Sequence, residues 1–366
     1  MAGATTIWFA AAIPRNSLGG VSRVMAELSA RLSDRGVNCV IVNAGRSTML
    51  ANYLVFSAWL AARYLFAFGK RPQWIVARST DGLAVAIASR AFRLGVKTVL
   101  HSHGWEEKVY EVERRLPAGR VAPRTSWKAR LIRFPLLRRM LALCDVCMCG
   151  TIEEARWVRK KYPGFGAKVV CVPNGAAASS SPHRDWAAST PADFLAVGNC
   201  TWKKNMGRTI AVFRAIREYL PGARLFVAGS TLQDIVGLTD ASAIPGLSAV
   251  GAVPPQNMPA WYSRCPFFIT TSAYEGGRSL ALLEAMAHGC VVFASAIPSS
   301  LECIHDGVDG FIVSGLAPKE DALRIVQVLR NPALCASASA EAFLFAKRQS
   351  WERQARRFER VLCLKG

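Results

Sequence analysis

The chain has 366 residues, half of them hydrophobic, with 46 Lys and Arg against 25 Asp and Glu and a formal net charge of +21. That length gives room for two domains of ordinary size, each with its own core. Eleven cysteines, an odd number scattered mostly through apolar runs, read as reduced core residues of a cytoplasmic protein and not as a disulfide framework.

The charge is uneven. Met1 to Pro182 carries 27 basic and 10 acidic residues and the remainder 19 and 15, so the first half is the one that would face an anionic partner. Positive mean hydropathy adds a hint of membrane contact.

The opening M-A-G-A-T-T-I-W-F-A-A-A-I-P lacks the basic start of a signal peptide and reads as a first strand, Ile7 to Ala12. P-R-N-S-L-G-G-V-S-R-V leads into a helix with Val24, Leu28 and Leu32 in phase, ended by Gly36, and Val37 to Asn43 is a second strand. This β-loop-α-β order begins a Rossmann-like domain. Gly19 and Gly20 either let the backbone approach a diphosphate or substrate closely or simply make a tight turn. Ala51 to Gly69 is the best candidate for a membrane span, but Arg63 interrupts it and aromatic residues are scattered through it, so a packed or interfacial helix is expected.

W-I-V-A-R-S and K-T-V-L-H-S-H-G-W-E read as strands ending in polar loops. Open parallel sheets bind ligands beyond the carboxyl ends of their strands, which is where His101, His103 and Gly104 fall. Histidine there can donate to a hydroxyl, shuttle a proton or merely tie a loop. From Arg114 to Arg139 nine basic residues and no acidic one are interleaved with Leu116, Trp127, Leu131, Ile132, Phe134, Leu136 and Leu137. That composition suits an amphipathic segment on anionic lipid better than a solvated face of mixed sign. It lacks the regularly spaced aromatic platforms of a nucleic-acid site, so no nucleic-acid partner is expected. Cys144, Cys147 and Cys149 have no second Cys or His pair at a matching distance and are read as core strand, not zinc ligands.

Val169 to Val172 and the turn P-N-G close the first domain, and Ala176 to Pro191, rich in Ala, Ser and Pro, reads as a linker. A second β-loop-α-β starts at F-L-A-V-G-N-C-T-W-K-K-N-M-G, where Lys203 and Lys204 stand between strand and helix and an ammonium can neutralise a diphosphate. Arg224 to Gly229, a strand near Gly251 to Val253 and a helix from Met258 to Cys265 continue the alternation. Phe267 to Ser272 is a buried strand, a loop with Gly276 and Gly277 follows, and Ser279 is placed to cap a helix carrying Leu282, Ala285 and Met286 on one face. Backbone N–H groups at such a turn form a ready phosphate site. Glu275 lies before the glycines, and Glu284 inside the helix can accept two hydrogen bonds from a vicinal diol such as a ribose. Glu302 reads as a surface helix position.

The stretch Y-E-G-G-R-S-L-A-L-L-E-A-M-A-H-G resembles the E-x7-E signature of family 4 glycosyltransferases. The resemblance implies the two-domain GT-B fold, a nucleoside-diphosphate sugar as donor, Glu275 beside the donor sugar and Glu284 on the ribose of the nucleotide. Eight residues, not seven, separate the two carboxylates here. Gly19, Gly20 and Arg23 are similar to the family's G-G-x-x-R, His103-Gly104 to its H-G near the reacting sugar, V-P-N-G to another familiar mark, and Lys204-Asn205 to the K-N that grips phosphate. Asn199 stands where an Arg is usual, leaving Lys203 or Arg208 to substitute. A-G-S at Ala228 to Ser230 partly matches G-x-G, and Ser350 to Leu364 is similar to a C-terminal helix that crosses back to the first domain.

These observations together predict an α/β protein of two Rossmann-like domains facing across a cleft: an acceptor domain over 1–175, a linker over 176–191, a donor domain over 192–343 and a crossing helix over 344–366. The implied reaction is retaining transfer of a hexose to a hydroxyl. His103 and Glu275 are the catalytic candidates, and Gly19, Gly20, Lys203, Lys204, Gly276, Gly277, Arg278, Ser279, Leu280 and Glu284 would bind the donor. No Asp-x-Asp pair is present, so no metal or other cofactor is expected. The basic first half suggests a lipid-linked or membrane-surface acceptor in cell-surface polysaccharide assembly, on the inner face of the plasma membrane. Two other readings share the residues: a nucleotide-sugar epimerase of the same fold, and a non-catalytic membrane-associated partner of a transferase.

Overall fold

A computed structural model describes residues 5–14, 19–47, 49, 52–67, 71–115, 129–177, 184, 186, 192–236 and 244–364. Leu116 and Trp127 of the basic stretch, and most of the expected linker, lie outside them. The chain divides into two compact units, one of 1–174 with 351–366 and one of 175–350.

The first unit is a six-stranded parallel sheet in the order β2-β1-β3-β4-β5-β6. Its strands are β1 (Thr6–Ala11), β2 (Asn38–Asn43), β3 (Trp74–Arg78), β4 (Lys97–His101), β5 (Val146–Cys149) and β6 (Val169–Cys171). Its helices are α1 (Gly20–Ser33), α2 (Tyr53–Leu65), α3 (Leu83–Phe92), α4 (Glu106–Arg115), α5 (Phe134–Leu143) and α6 (Ile152–Lys161), with a π turn at Ala129–Arg133. β1 reads I-W-F-A-A without alternation because it pairs on both sides and is covered on both faces. Trp8 and Ala10 share a core with Phe56, Leu60 and Tyr64 of α2 and Val85 of α3. α2 is thus a packed helix of thirteen residues. Among the described residues no helix is long and apolar enough to cross a membrane. Cys147 and Cys149 are core residues of β5, while Cys144 ends α5, and no group of described residues could hold a metal ion.

The second unit is also a six-stranded parallel sheet, β12-β11-β10-β7-β8-β9. The strands are β7 (Asp193–Val197), β8 (Arg224–Ala228), β9 (Leu247–Gly251), β10 (Phe267–Thr270), β11 (Val291–Ser295) and β12 (Phe311–Val313). Between and after them come α7 (Met206–Tyr219), α8 (Leu232–Val236), α9 (Met258–Arg264), α10 (Leu280–Ala287), α11 (Pro298–Leu301), α12 (Pro318–Leu329) and α13 (Pro332–Arg348). β10 stops two residues short of Ser272. β9 ends at Gly251, where the sequence suggested a start, because this half-buried edge strand carries little apolar pattern. Phe267 and Ile269 face α7 and α12, and Phe268 faces α10 and α13. α10 therefore lies between the sheet and α13, buried on nearly every side from Leu282 to Ala287.

α14 (Trp351–Leu362) belongs to the first unit. Trp351, Ala355, Phe358 and Leu362 recur at helical spacing and are buried, and the Phe358 ring lies 5.7 Å from that of Phe9 on β1. Arg35, just past α1, donates to Glu359 at 2.7 Å and to Glu352 at 3.3 Å. Phe358 is wholly buried, so Phe358→Ala should cost about 3–5 kcal/mol in urea denaturation. A loss below about 1 kcal/mol would show that α14 does not seal this core.

Candidate active site

In the second unit the turn after β10 is fixed from three directions. Ser272 Oγ donates to Glu275 Oε1 at 2.9 Å, and Lys204 Nζ donates to the same oxygen at 2.6 Å. The β7–α7 loop that carries Lys204 is joined to this turn by main chain, since the amides of Ala273 and Tyr274 donate to the Lys203 carbonyl at 2.8 and 3.3 Å. Asn205 Nδ2 also donates to the Thr271 carbonyl at 3.2 Å. Asn205 occupies the N-cap position of α7 in the left-handed region, φ 49° and ψ 44°, a conformation its short amide side chain tolerates better than most. Gly198 leaves room for the lysine: a Cβ there would lie 2.9 Å from Lys204 Cγ. Lys203 turns its ammonium over the rings of Trp202 and Tyr274, at 5.9 and 5.5 Å from their centroids. Arg208 donates to the Leu316 carbonyl at 3.1 Å.

Gly276 and Gly277 are partly exposed in the turn. Ser279 occupies the N-cap of α10 in extended conformation, but its side chain makes no capping bond, contrary to the expectation from sequence. The first amides of α10 are thus left to other acceptors. Leu280 opens the helix. Arg278 is buried; Nη1 donates to Gln349 Oε1 at 2.9 Å and Nε lies 3.7 Å from Glu302 Oε2. Glu302 is therefore not a surface residue: its side chain is 13% exposed and neutralises a buried guanidinium.

Glu284, four residues into α10 beyond Leu280, is only 7% exposed. Its Oε2 accepts a 2.9 Å hydrogen bond from the Tyr262 hydroxyl of α9, and the Tyr262 ring stacks on His288 at 5.2 Å. His288 in turn bonds through Nδ1 to the Glu284 carbonyl at 2.8 Å. Tyr262 and Gln349 escaped the sequence reading, because neither is near α10 in the chain.

In the first unit Gly19 and Gly20 stand exposed at the amino end of α1. His101 ends β4, and its ring lies 4.3 Å from that of His103. Burial pushes His101 down to about 4; burial, then His101 and Arg78, hold His103 well below the usual histidine range. Both rings are neutral at neutral pH, able to donate or accept a proton but carrying no standing charge. Glu154 of α6 fixes the loop, accepting from Ser102 Oγ at 3.1 Å, the Gly150 amide at 3.2 Å and the Trp105 amide. Burial raises its pKa against the pull of those donors. Gly104, at φ 111°, makes a turn that a side chain would strain.

Asp81, also missed in the sequence, joins two strand ends: Oδ2 accepts from the Ala12 amide at 2.8 Å and lies 3.6 Å from Arg78 Nε. Burial, opposed chiefly by Arg78, pushes its pKa up to about 6.

Two family models match the chain, "Glycosyltransferase Family 4" over residues 18–179 and "Glycosyl transferases group 1" over residues 191–331. The chain belongs to the family 4 glycosyltransferases. A D-inositol 3-phosphate glycosyltransferase of Mycolicibacterium paratuberculosis is 34% identical over 149 residues, 38% of this chain and 34% of that protein. One of Thermobispora bispora is 28% identical over 244 residues, 61% and 56% of the two chains. The chain thus spans about a third to just over half the length of these curated relatives. Among solved structures, sucrose-phosphate synthase from Thermosynechococcus elongatus superposes with a TM-score of 0.79 at 17% identity, covering 98% of each chain. Anabaena HepE in complex with UDP-glucose gives 0.72 at 14%, covering 98% of this chain and 99% of HepE. At such identities the likeness shows the fold, which is GT-B.

Two outcomes follow for this glycosyltransferase. Because Asp81 has its ordinary value of 3.8 raised to about 6 in the folded state, the folded protein binds the proton more tightly. Stability should then fall as pH rises from about 4 to about 6, by roughly 3 kcal/mol. Asp81→Asn should flatten that slope in denaturation at stepped pH, and an unchanged slope would remove Asp81 as its source. Separately, Tyr262→Phe leaves a buried carboxylate without its hydroxyl donor and should cost about 1–3 kcal/mol; a neutral result would mean Glu284 rearranges to another donor.

Proposed function

We propose that the protein transfers a hexose from a nucleoside-diphosphate sugar, with retention at the anomeric carbon, to a hydroxyl of a lipid-linked or membrane-surface saccharide. The observation that carries this reading is the buried carboxylate of Glu284, held from one side by Tyr262 within a helix that opens, uncapped, beyond a strand end. A ribose diol is the chemistry such an oriented acceptor suits. The diphosphate lies against the first amides of α10 and Lys204, whose ammonium is already positioned by Glu275 at 2.6 Å. Donor binding then places a second anion beside Lys204, and Glu275 is released toward the sugar. His103, kept neutral, serves the reacting hydroxyl by hydrogen bonding in the first unit. Leaving-group charge is met by these amides and the lysine, without a divalent metal or other cofactor.

The names of similar proteins support the class of reaction. HepE was crystallised with UDP-glucose, which makes that sugar nucleotide the first donor to test, and inositol 3-phosphate glycosyltransferases share part of the sequence. The basic first half favours work on the inner face of the plasma membrane, in cell-surface polysaccharide assembly, with no nucleic-acid partner.

The test is release of nucleoside diphosphate from a panel of sugar nucleotides, UDP-glucose first, with and without lipid extract, in the presence of EDTA. Acceptor-dependent release that falls at least about ten-fold in Glu284→Ala, roughly the loss of one good hydrogen-bonded anchor, is the expected result. Interconversion of the sugar nucleotide without release would make the protein an epimerase. No turnover with any donor would favour a non-catalytic partner.

A further inference from the structure

One side of the first unit carries an outer surface that its own fold leaves unexplained. Helices α2, α3 and α5 and the π turn Ala129–Arg133 lie side by side, α2 against α3 and α3 against α5. Arg133 of the turn stacks on Tyr53 at the start of α2, 5.3 Å from the ring centroid. No Asp or Glu occurs in any of the four. A helix surface on a soluble protein ordinarily mixes charges of both signs.

Here the exposed positions of α2 after its cap are Leu54, Val55, Ala58, Ala62, Arg63 and Leu65, apolar but for the arginine, and Phe66 follows at 74% exposure. Its inner face is already spent on the core through Phe56, Leu60 and Tyr64. An apolar helix with a second apolar face lacks a partner on that side. α3 adds exposed Ile87 and Phe92, the latter 72% exposed, and the π turn adds Leu131 and Ile132.

The cations on this surface divide into two groups. Arg90 pairs with Asp145 at 3.0 Å, Arg133 with Glu106 at 2.7 Å and Arg138 with Glu107 at 2.8 Å, which uses up the acids along its margins. Arg63, Arg93, Arg130 and Arg139 have no ion-pair partner among the described residues. Arg63 lies over the rings of Trp8 and Trp59, 5.4 Å from each.

We propose that the α2–α3–α5 surface docks on the face of an anionic lipid bilayer, with the exposed leucine, isoleucine and phenylalanine side chains entering the interface and the unpaired arginines meeting lipid phosphate. Charge complementarity selects this occupant: a surface free of carboxylates, apolar along a whole helix and bordered by arginine, matches an anionic interface. A soluble partner would need its own carboxylates placed around an apolar centre. The inference rests on the proposed membrane-side acceptor and supplies the surface that brings the enzyme to it. It also extends the contact from the described end of the Arg114–Arg139 stretch, part of whose charge is paired with α4, onto α2 and α3.

Flotation of the full chain with phosphatidylcholine vesicles, with and without phosphatidylglycerol, tests this at low and high salt. The protein should float with the anionic vesicles, less at high salt, and Phe66→Glu with Phe92→Glu should weaken binding at least about ten-fold. Leu323→Glu with Leu344→Glu, exposed apolar positions on the second unit, should leave binding unchanged. Failure of the wild type to bind at low salt, or equal binding by the Phe66/Phe92 variant, would overturn the proposal. So would self-association in sedimentation that the same variant abolishes without any vesicle binding, which would assign the surface to a second copy. Turnover of a sugar nucleotide in detergent separates the two readings. If it persists while flotation fails, only the docking surface is wrong, and if it is absent the transferase reading itself falls.

Discussion

Each unit depends on what happens where its strand order reverses. A doubly wound sheet grows outward from its first strand in both directions, so the loops on either side of that strand diverge and leave a crevice at the carboxyl edge. In the second unit the reversal lies between β7 and β10. The crevice is spanned by the Lys203 carbonyl, which accepts from Ala273 and Tyr274, and by the Lys204–Glu275 pair. In the first unit it lies between β1 and β3, and the buried Asp81 spans it by accepting from Ala12. In both units polar groups tie the loops on the two sides of the reversal.

Such ties oppose the stability of the isolated fold. Asp81, Glu154, Glu284 and the Arg278–Glu302 pair are all removed from water, and burial raises the pKa of Asp81 and Glu154. Apolar residues of similar shape would serve a mere scaffold at least as well. Glu284 shows the point most directly. Leu283, Ala285 and Met286 around it are buried hydrophobics in an apolar helix between sheet and α13. A carboxylate placed there has a tyrosine hydroxyl aimed at one of its oxygens, the feature on which its proposed role toward a ribose rests.

What the sequence makes legible follows from how local the cause is. The strands and their alternation with helices are written in apolar runs and in glycine and proline punctuation, and most form where the pattern puts them, β9 with its weak apolar pattern being displaced. α14 is equally plain, since Trp351, Ala355, Phe358 and Leu362 repeat on one face. Glu284 is marked by the resemblance of its stretch to the family signature. By contrast Tyr262, Gln349 and Asp81 act on groups that lie 22, 71 and 69 residues away in the chain. No short-range pattern marks a tyrosine on a helix as the donor to a carboxylate on another. Glu302 misled for the same reason, its one informative neighbour being Arg278.

Eight residues separate Glu275 from Glu284, and each carboxylate is held by its own set of contacts. If the turn itself set the distance between the carboxylates, lengthening it by one residue would carry Glu275 out of place. Neither carboxylate is held by the turn. Glu275 is fixed from before it by Ser272, three residues earlier, and from across the crevice by Lys204. Glu284 is fixed by the helix that carries it and by Tyr262 on α9. The segment between them contains Gly276 and Gly277, which can absorb a residue at little steric cost. Arg278 beyond them is anchored separately by Gln349 and Glu302. Glu275 and Glu284 thus each answer to a partner outside the two-glycine stretch that separates them.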